Sequence, residues 1–189
     1  MREYAGYAQN VHVYPGDCND ILLQRVFPLV SYKARRRALC LLDPYNIDLS
    51  WEVVAAAGNS RAIEIFLNFM VMDMNMNVLL RDATRADPKQ VARMNRFWGD
   101  ASWQTIAYYA NPQQKFFSEP DLLKVEDANE KISEAYRQRL LRVAGFKYAP
   151  APLAFKNRLG RTIYYLFFAS PNRTGNKIVE EIFAKHREL

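Results

Sequence analysis

Five consecutive apolar residues, Ala38 to Leu42, end abruptly at Asp43-Pro44. A run this short with no polar alternation predicts a strand covered on both faces, the mark of a parallel sheet. Proline at 44 can neither donate to a ladder nor continue a helix, so the strand must stop there. Similar signals flank it. Val11 to Tyr14 reads as a strand closed by Pro15-Gly16, and Asp17 to Asp20 supplies helix-capping chemistry for a helix over Ile21 to Val30. Ser31 to Arg37 is a basic loop. Leu49 to Ala57 reads as a helix ended by Gly58-Asn59, and Ala62 to Met70 as a third strand. Strand, helix, strand, helix, strand with short loops predicts an α/β fold with parallel βαβ crossovers and helices on both faces, a partial Rossmann-like sheet.

The middle of the chain changes character. Asp87-Pro88 opens a helix to about Trp98, closed by Gly99. Asp100 or Ser102 caps a second short helix through Tyr109, broken at Asn111-Pro112. Glu126 to Val143 is a longer amphipathic helix with Ala128, Ile132, Tyr136, Leu140 and Val143 on one face. Strands return at the end: Phe146 to Phe155 and Thr162 to Ala169 flank a Lys156–Gly160 turn and read as an antiparallel hairpin. Asn176 to His186 closes the chain as a helix with Ile178, Ile182, Phe183 and His186 on its apolar face. The organisation is therefore an α/β part over 1–80, a helical insertion over 81–145, and a hairpin and helix over 146–189 that complete the α/β part.

Composition narrows the setting. With 50% hydrophobic residues in 189, the chain can bury a core without staples, and no segment approaches the roughly 18 apolar residues of a membrane span. Met1 to Asn10 has no apolar stretch of a signal peptide. Two separated cysteines, Cys18 and Cys40, give neither a zinc box nor a disulfide framework, and they fit a reducing cytoplasm. The net charge of +6 allows an acidic partner such as DNA or RNA.

Ligands of open parallel sheets sit outside the carboxyl ends of the strands, where Asp17 and Asp43 fall. Asp43-Pro44-Tyr45-Asn46 combines an acid, a proline and an aromatic ring, a set able to hold a planar amine by hydrogen bonding and stacking, as a flipped nucleobase requires. The competing reading makes Asp43 a local cap and packs Tyr45 on the sheet. Asp17, Asp43, Asp48 and Glu52 offer a second possibility, a Mg²⁺ site in a nuclease. His12 and His186 lie at opposite ends of the chain, which leaves a histidine-based triad little to work with. Arg81, Arg85, Arg93 and Arg96, in the same region as Trp98 and Trp103, could pin phosphates while the rings stack bases, or the two indoles could be core. The Lys33 and Arg35–Arg37 loop reads as a solvated loop.

The runs VHVYPGDCNDIL, ALCLLDPYNIDLSWEVV, AIEIFLNFMVMDMNMNVLL, RMNRFWGDASWQTIAYY and RLLRVAGFKYAPAPL with YYLFFAS together resemble the three-Cys-motif partner (TcmP) family, in the same order from about Val11 to the last helix. The resemblance implies a variant of the methyltransferase fold that uses S-adenosylmethionine, with a winged-helix-like insertion and a partner protein carrying a three-cysteine motif. It implies that Val11 to Tyr14 is the third strand of such a sheet, that Asp17, with Cys18 beside it, contacts the adenine of the cofactor, and that Asp43-Pro44-Tyr45 matches a substrate-amine motif whose second proline is absent here. Relatives carry a glycine-rich cofactor loop ahead of this region, and no such run occurs in these 189 residues. The chain therefore reads as a truncated or split member. Three functions compete: an amine methyltransferase, a non-catalytic protein that binds the three-cysteine partner or nucleic acid, and a Mg²⁺-dependent nuclease.

Overall fold

The computed structural model describes residues 11–111 and 121–187, so the tyrosine-rich run 1–10 and the helix-breaking Pro112 lie outside the described residues. The apolar run forms strand β1 over Ala38–Leu42, as its sequence predicts. Helix α2 (Trp51–Ser60) follows, with Ser50 Oγ accepting the Glu52 amide at its start, and leads into β2 (Ile63–Phe69). β1 and β2 are parallel with Cys40 opposite Ile65, which is the expected crossover. The terminal hairpin, β5 (Leu153–Lys156) and β6 (Thr162–Ala169), is antiparallel, and β6 joins the sheet against β2, giving the order β1-β2-β6-β5. The fold is mixed α/β, with a four-stranded mixed sheet and a separate two-stranded ribbon of β3 (Tyr108–Ala110) and β4 (Leu122–Lys124).

Two layers of helix enclose the sheet. Alternate β2 residues Ile63, Ile65, Leu67 and Phe69 are buried in one cluster with α2, α4 (Pro88–Trp98) and α6 (Ala128–Arg142). Phe69 meets Phe97, Tyr136 and Phe167 at ring-centroid distances of 4.9 to 5.5 Å, so the 81–145 block shares the core of the sheet. On the opposite face, Phe66, Leu166 and Phe168 pack under Val179 and Phe183 of α7 (Arg173–Arg187). No helix among the described residues is long and apolar enough to cross a membrane.

Several expectations are corrected. Val11 to Tyr14 pairs with no strand among the described residues: Val11 and Val13 are exposed, and β-branched composition yields a strand only where a neighbour offers a ladder. The predicted helix over Ile21 to Val30 is instead a short α1 (Cys18–Ile21), a π turn over Leu22–Val26 and a 3-10 turn over Phe27–Leu29. β1 is an edge strand and is not covered on both faces, because α7 packs over β5 and β6 and stops short of it; Leu39 and Leu41 are 55% and 72% exposed. Gly58 lies inside α2, and Arg61 takes the left-handed position after the helix (φ 55°). A Cβ at Gly58 would stand 2.0 Å from the Ala144 carbonyl oxygen, so glycine here permits a close approach of chain segments. Val143 is exposed where a buried face was expected. On α7 the buried residues are Val179 and Phe183, and Ile178, Ile182 and His186 are exposed, so the apolar face is turned by one residue. Residues 146–152 contribute only a single bridge, Tyr148 to Ser170, since Pro150 and Pro152 cannot donate to a ladder. Tyr108 and Tyr109 open strand β3 and do not end a helix; the helix before them, α5, covers Trp103–Ala107. Helix α3 (Val71–Asn77) was not anticipated.

Candidate functional site

At the carboxyl end of β1 a cleft of about 410 Å³ opens between two segments of the chain. Tyr14, Gly16 and Cys18 form one wall, and Leu42, Asp43 and Pro44 the other. Asn19 ties α1 to the segment that leads into α2. Its side-chain amide donates to the Asp48 carbonyl (3.2 Å), and its side-chain oxygen accepts the Ser50 amide (2.7 Å). Each end of this bracket is itself a helix start, so the cleft width is set by backbone and not by long side chains.

Cys18, Asp43 and Pro44 therefore meet in one cleft, and the other residues singled out above stand differently. Asp17 sits at the rim and caps α1: its Oδ1 accepts the Asn19 amide at 2.8 Å and the Asn19 side chain at 3.0 Å. Those hydrogen bonds, the side-chain one foremost, hold its carboxyl below the usual aspartate range. Asp43 Oδ1 accepts 2.7 Å from Asn68 Nδ2 on β2. Its second oxygen has no partner among the described residues and is free to take an N–H. Tyr45 is 85% exposed and does not pack on the sheet, and Asn46 turns the chain with a left-handed φ of 59°. Neither lines the cleft; both flank its mouth in sequence. Cys40 shares the cleft with Cys18, and burial pushes its thiol above the ordinary range.

The basic and aromatic set of α4 resolves into structure. Arg93 forks onto Asp48, with Nε to Oδ1 at 3.0 Å and Nη2 to Oδ2 at 3.2 Å, and Arg96 lies 3.5 Å from the same carboxylate. Trp98 and Trp103 are buried, their indole N–H groups donating to Ser102 Oγ (2.9 Å) and Asn95 Oδ1 (2.7 Å). Buried rings offer no face to a base, so the core reading of the two indoles holds. The four-acid metal set does not assemble either. Asp48 is engaged by two guanidiniums, and no three His, Cys, Asp or Glu side chains among the described residues come together to hold an ion. His12 stacks on Tyr14 at the opposite end of the chain from His186.

Sequence reasoning missed Asn19 and Asn68, the two amides that position the site. The only trace of the first was its place in a capping run; the second occupies an outward position of β2 that pairing alone brings beside Asp43. Comparison with models of known families, with curated proteins and with solved structures gives no match for this chain.

Proposed function

We propose that the chain is the amine-recognising part of a TcmP-like protein of methyltransferase fold, and that its carboxyl-end cleft takes a planar amine such as a nucleobase. The observation that carries this reading is the convergence of the Gly16–Cys18 turn and Asp43-Pro44 on one cleft at the end of a parallel strand. The free oxygen of Asp43 accepts an exocyclic N–H, Leu42 and Leu49 give an apolar wall, and Tyr45 at the mouth offers an exposed ring for stacking. The parallel β1–β2 pair followed by the antiparallel terminal hairpin supports the same fold reading.

The residues present do not fit the whole of S-adenosylmethionine. The cleft has an apolar wall and an acid, suited to a ring bearing an amine. It has no glycine-rich turn and no second acid for a ribose. Amine recognition is accordingly the role assigned to this chain, and no methyl transfer is derived from it.

Saturation-transfer NMR with adenosine, cytidine and uridine tests the reading. The first two carry an exocyclic amine and uridine does not, so adenosine and cytidine are expected to give signal that Asp43→Ala removes. S-adenosylmethionine is expected to bind no better than adenosine. Equal signal from uridine, or an Asp43→Ala variant that binds as the wild type does, would sink the proposal.

A further inference from the structure

At the other end of the sheet lies a larger cavity, about 720 Å³, beside the amino ends of β1 and β2. Five cations from separate parts of the chain line it: Lys33 and Arg37 from the loop before β1, Arg61 before β2, Lys147 after α6, and Arg173 at the start of α7. No acid is among its described lining residues. None of the five makes an ion pair or a side-chain hydrogen bond among the described residues, and Arg37 only stacks over the Tyr32 ring at 5.1 Å. The contrast with the rest of the molecule is informative. Arg93, Arg96, Lys131, Arg137 and Arg139 each sit against a carboxylate. Glu64 lines an adjoining smaller cavity that shares Arg37; its carboxylate stands against the first turn of α7 at Gly175 and already accepts the Ser170 hydroxyl at 2.7 Å.

Gathering unpaired like charges around one concavity costs Coulomb energy that a multivalent anion repays. The first turn of a 15-residue helix, α7, adds its positive end to the same rim. We propose that this cavity binds a ligand carrying several phosphate groups, with Tyr32 as a stacking platform for an attached base. The site is separate from the Asp43 cleft, and the inference does not rest on the proposed function. Two sources present this chemistry, a single-stranded nucleic acid and a free nucleotide polyphosphate, and the size suits a nucleotide or a short stretch of backbone.

Fluorescence anisotropy with a labelled single strand of about 12 nucleotides, competed with ATP and with tripolyphosphate, tests it. Four phosphate contacts predict an affinity that drops by about 50-fold between about 50 and 200 mM salt. The double variant Arg37→Gln with Arg61→Gln is expected to weaken binding and to flatten the salt slope by about 1.4. Both side chains are exposed, so its melting temperature should match the wild type. Lys185→Gln, on the last turn of α7, is the control and should bind as the wild type does. Tighter binding of the oligonucleotide than of ATP assigns a nucleic acid, and the reverse assigns a free nucleotide. No binding of any probe below about 1 mM, or a double variant indistinguishable from the control, overturns the inference. An Asp43→Ala variant should leave the salt slope unchanged, which separates failure here from failure of the amine cleft.

Discussion

Tyr136 offers a perturbation whose sign, not only its size, follows from the geometry. Its ring is the hub of the core, stacked on Phe97 at 5.3 Å, edge-on to Trp51 at 5.6 Å, and within 5.7 Å of Phe69, Trp98 and Phe167. The residue is fully buried, and no group among the described residues pairs with its hydroxyl. Burial drives the phenol pKa far up, since the site cannot accommodate a phenolate. Tyr136→Phe keeps every ring contact and removes the hydroxyl. An unpaired buried polar group costs about 1–3 kcal/mol, and deleting one oxygen forfeits only a few dispersion contacts of about 0.1–0.2 kcal/mol each. The expected result is a gain of about 1 kcal/mol, or about 2–4 °C in melting temperature for a chain of this length. Tyr108→Phe provides the opposite case. Its hydroxyl donates to the Leu80 carbonyl at 2.8 Å, and burial raises its pKa to about 12. Losing that bond should cost about 1 kcal/mol. Urea unfolding of the two variants, followed by circular dichroism, reads both signs. If Tyr136→Phe loses stability as Tyr108→Phe does, the hydroxyl has a partner and the account of the core is wrong.

Other expectations are checked by the same measurement. Gly58→Ala would drive a methyl onto the Ala144 carbonyl, between backbones that cannot yield, and should cost at least about 3 kcal/mol. Leu41→Gln should be neutral within about 0.5 kcal/mol, since Leu41 is exposed on an edge strand, whereas Leu67→Ala, in the buried register of β2, should cost about 2–5 kcal/mol. Equal costs for the two leucines would mean that β1 is covered after all. Glu134 is bonded by Arg137 at 2.7 Å, which lowers its carboxyl pKa below the usual value. A depressed carboxyl stabilises above its unfolded pKa and loses that contribution as the pH falls through its folded one. The advantage of the wild type over Glu134→Gln, under about 1 kcal/mol for a half-exposed pair, should therefore be present at neutral pH, shrink once the pH falls below the ordinary glutamate range, and be gone below the depressed folded pKa. An advantage that grows in acid would contradict the assignment.

What the sequence disclosed, and what it hid, divide along the range of the interactions. β1, β2 and α4 with its Asp87 cap and Gly99 stop rest on neighbours within a few residues, and their bounds were readable to within a residue or so, whereas α2 starts two residues and ends three residues later than expected. Val11 to Tyr14 has equally good strand composition, but a strand also needs a partner edge, which local composition does not encode. Gly58 looked like a helix end because glycine usually is one; its real constraint is Ala144, 86 positions further along the chain. The one-residue rotation of α7 has the same origin. Ile178 and Val179 are equally apolar, and only the seat of Phe183 on Phe66 and Phe168 selects between the faces. At the cleft, the acids were legible because capping and strand-end positions are local, while the Asn68 partner of Asp43 comes from strand pairing.

The two ends of the sheet carry opposite chemistry for a structural reason. Around the carboxyl end of β1 the acids act as caps and acceptors: Asp17 on α1, Asp43 on Asn68, Asp48 on Arg93. The amino ends of β1 and β2 are entered from loops, and the loops bring Lys33, Arg37 and Arg61 together without an acid between them. A phosphate chain held at the basic end would leave its bases to seek partners elsewhere, and on the reading proposed above the Asp43 cleft offers a carboxylate oxygen to an exposed amine. β1 and its flanking loops span both sites, and a five-residue strand is only about 17 Å long. A single mononucleotide does not reach from one end of the strand to the other, so only an oligonucleotide can engage both. Asp43→Ala should therefore leave mononucleotide binding at the basic cavity unchanged and weaken the binding of longer strands; no effect of Asp43→Ala at any length would mean that the two sites act on separate ligands.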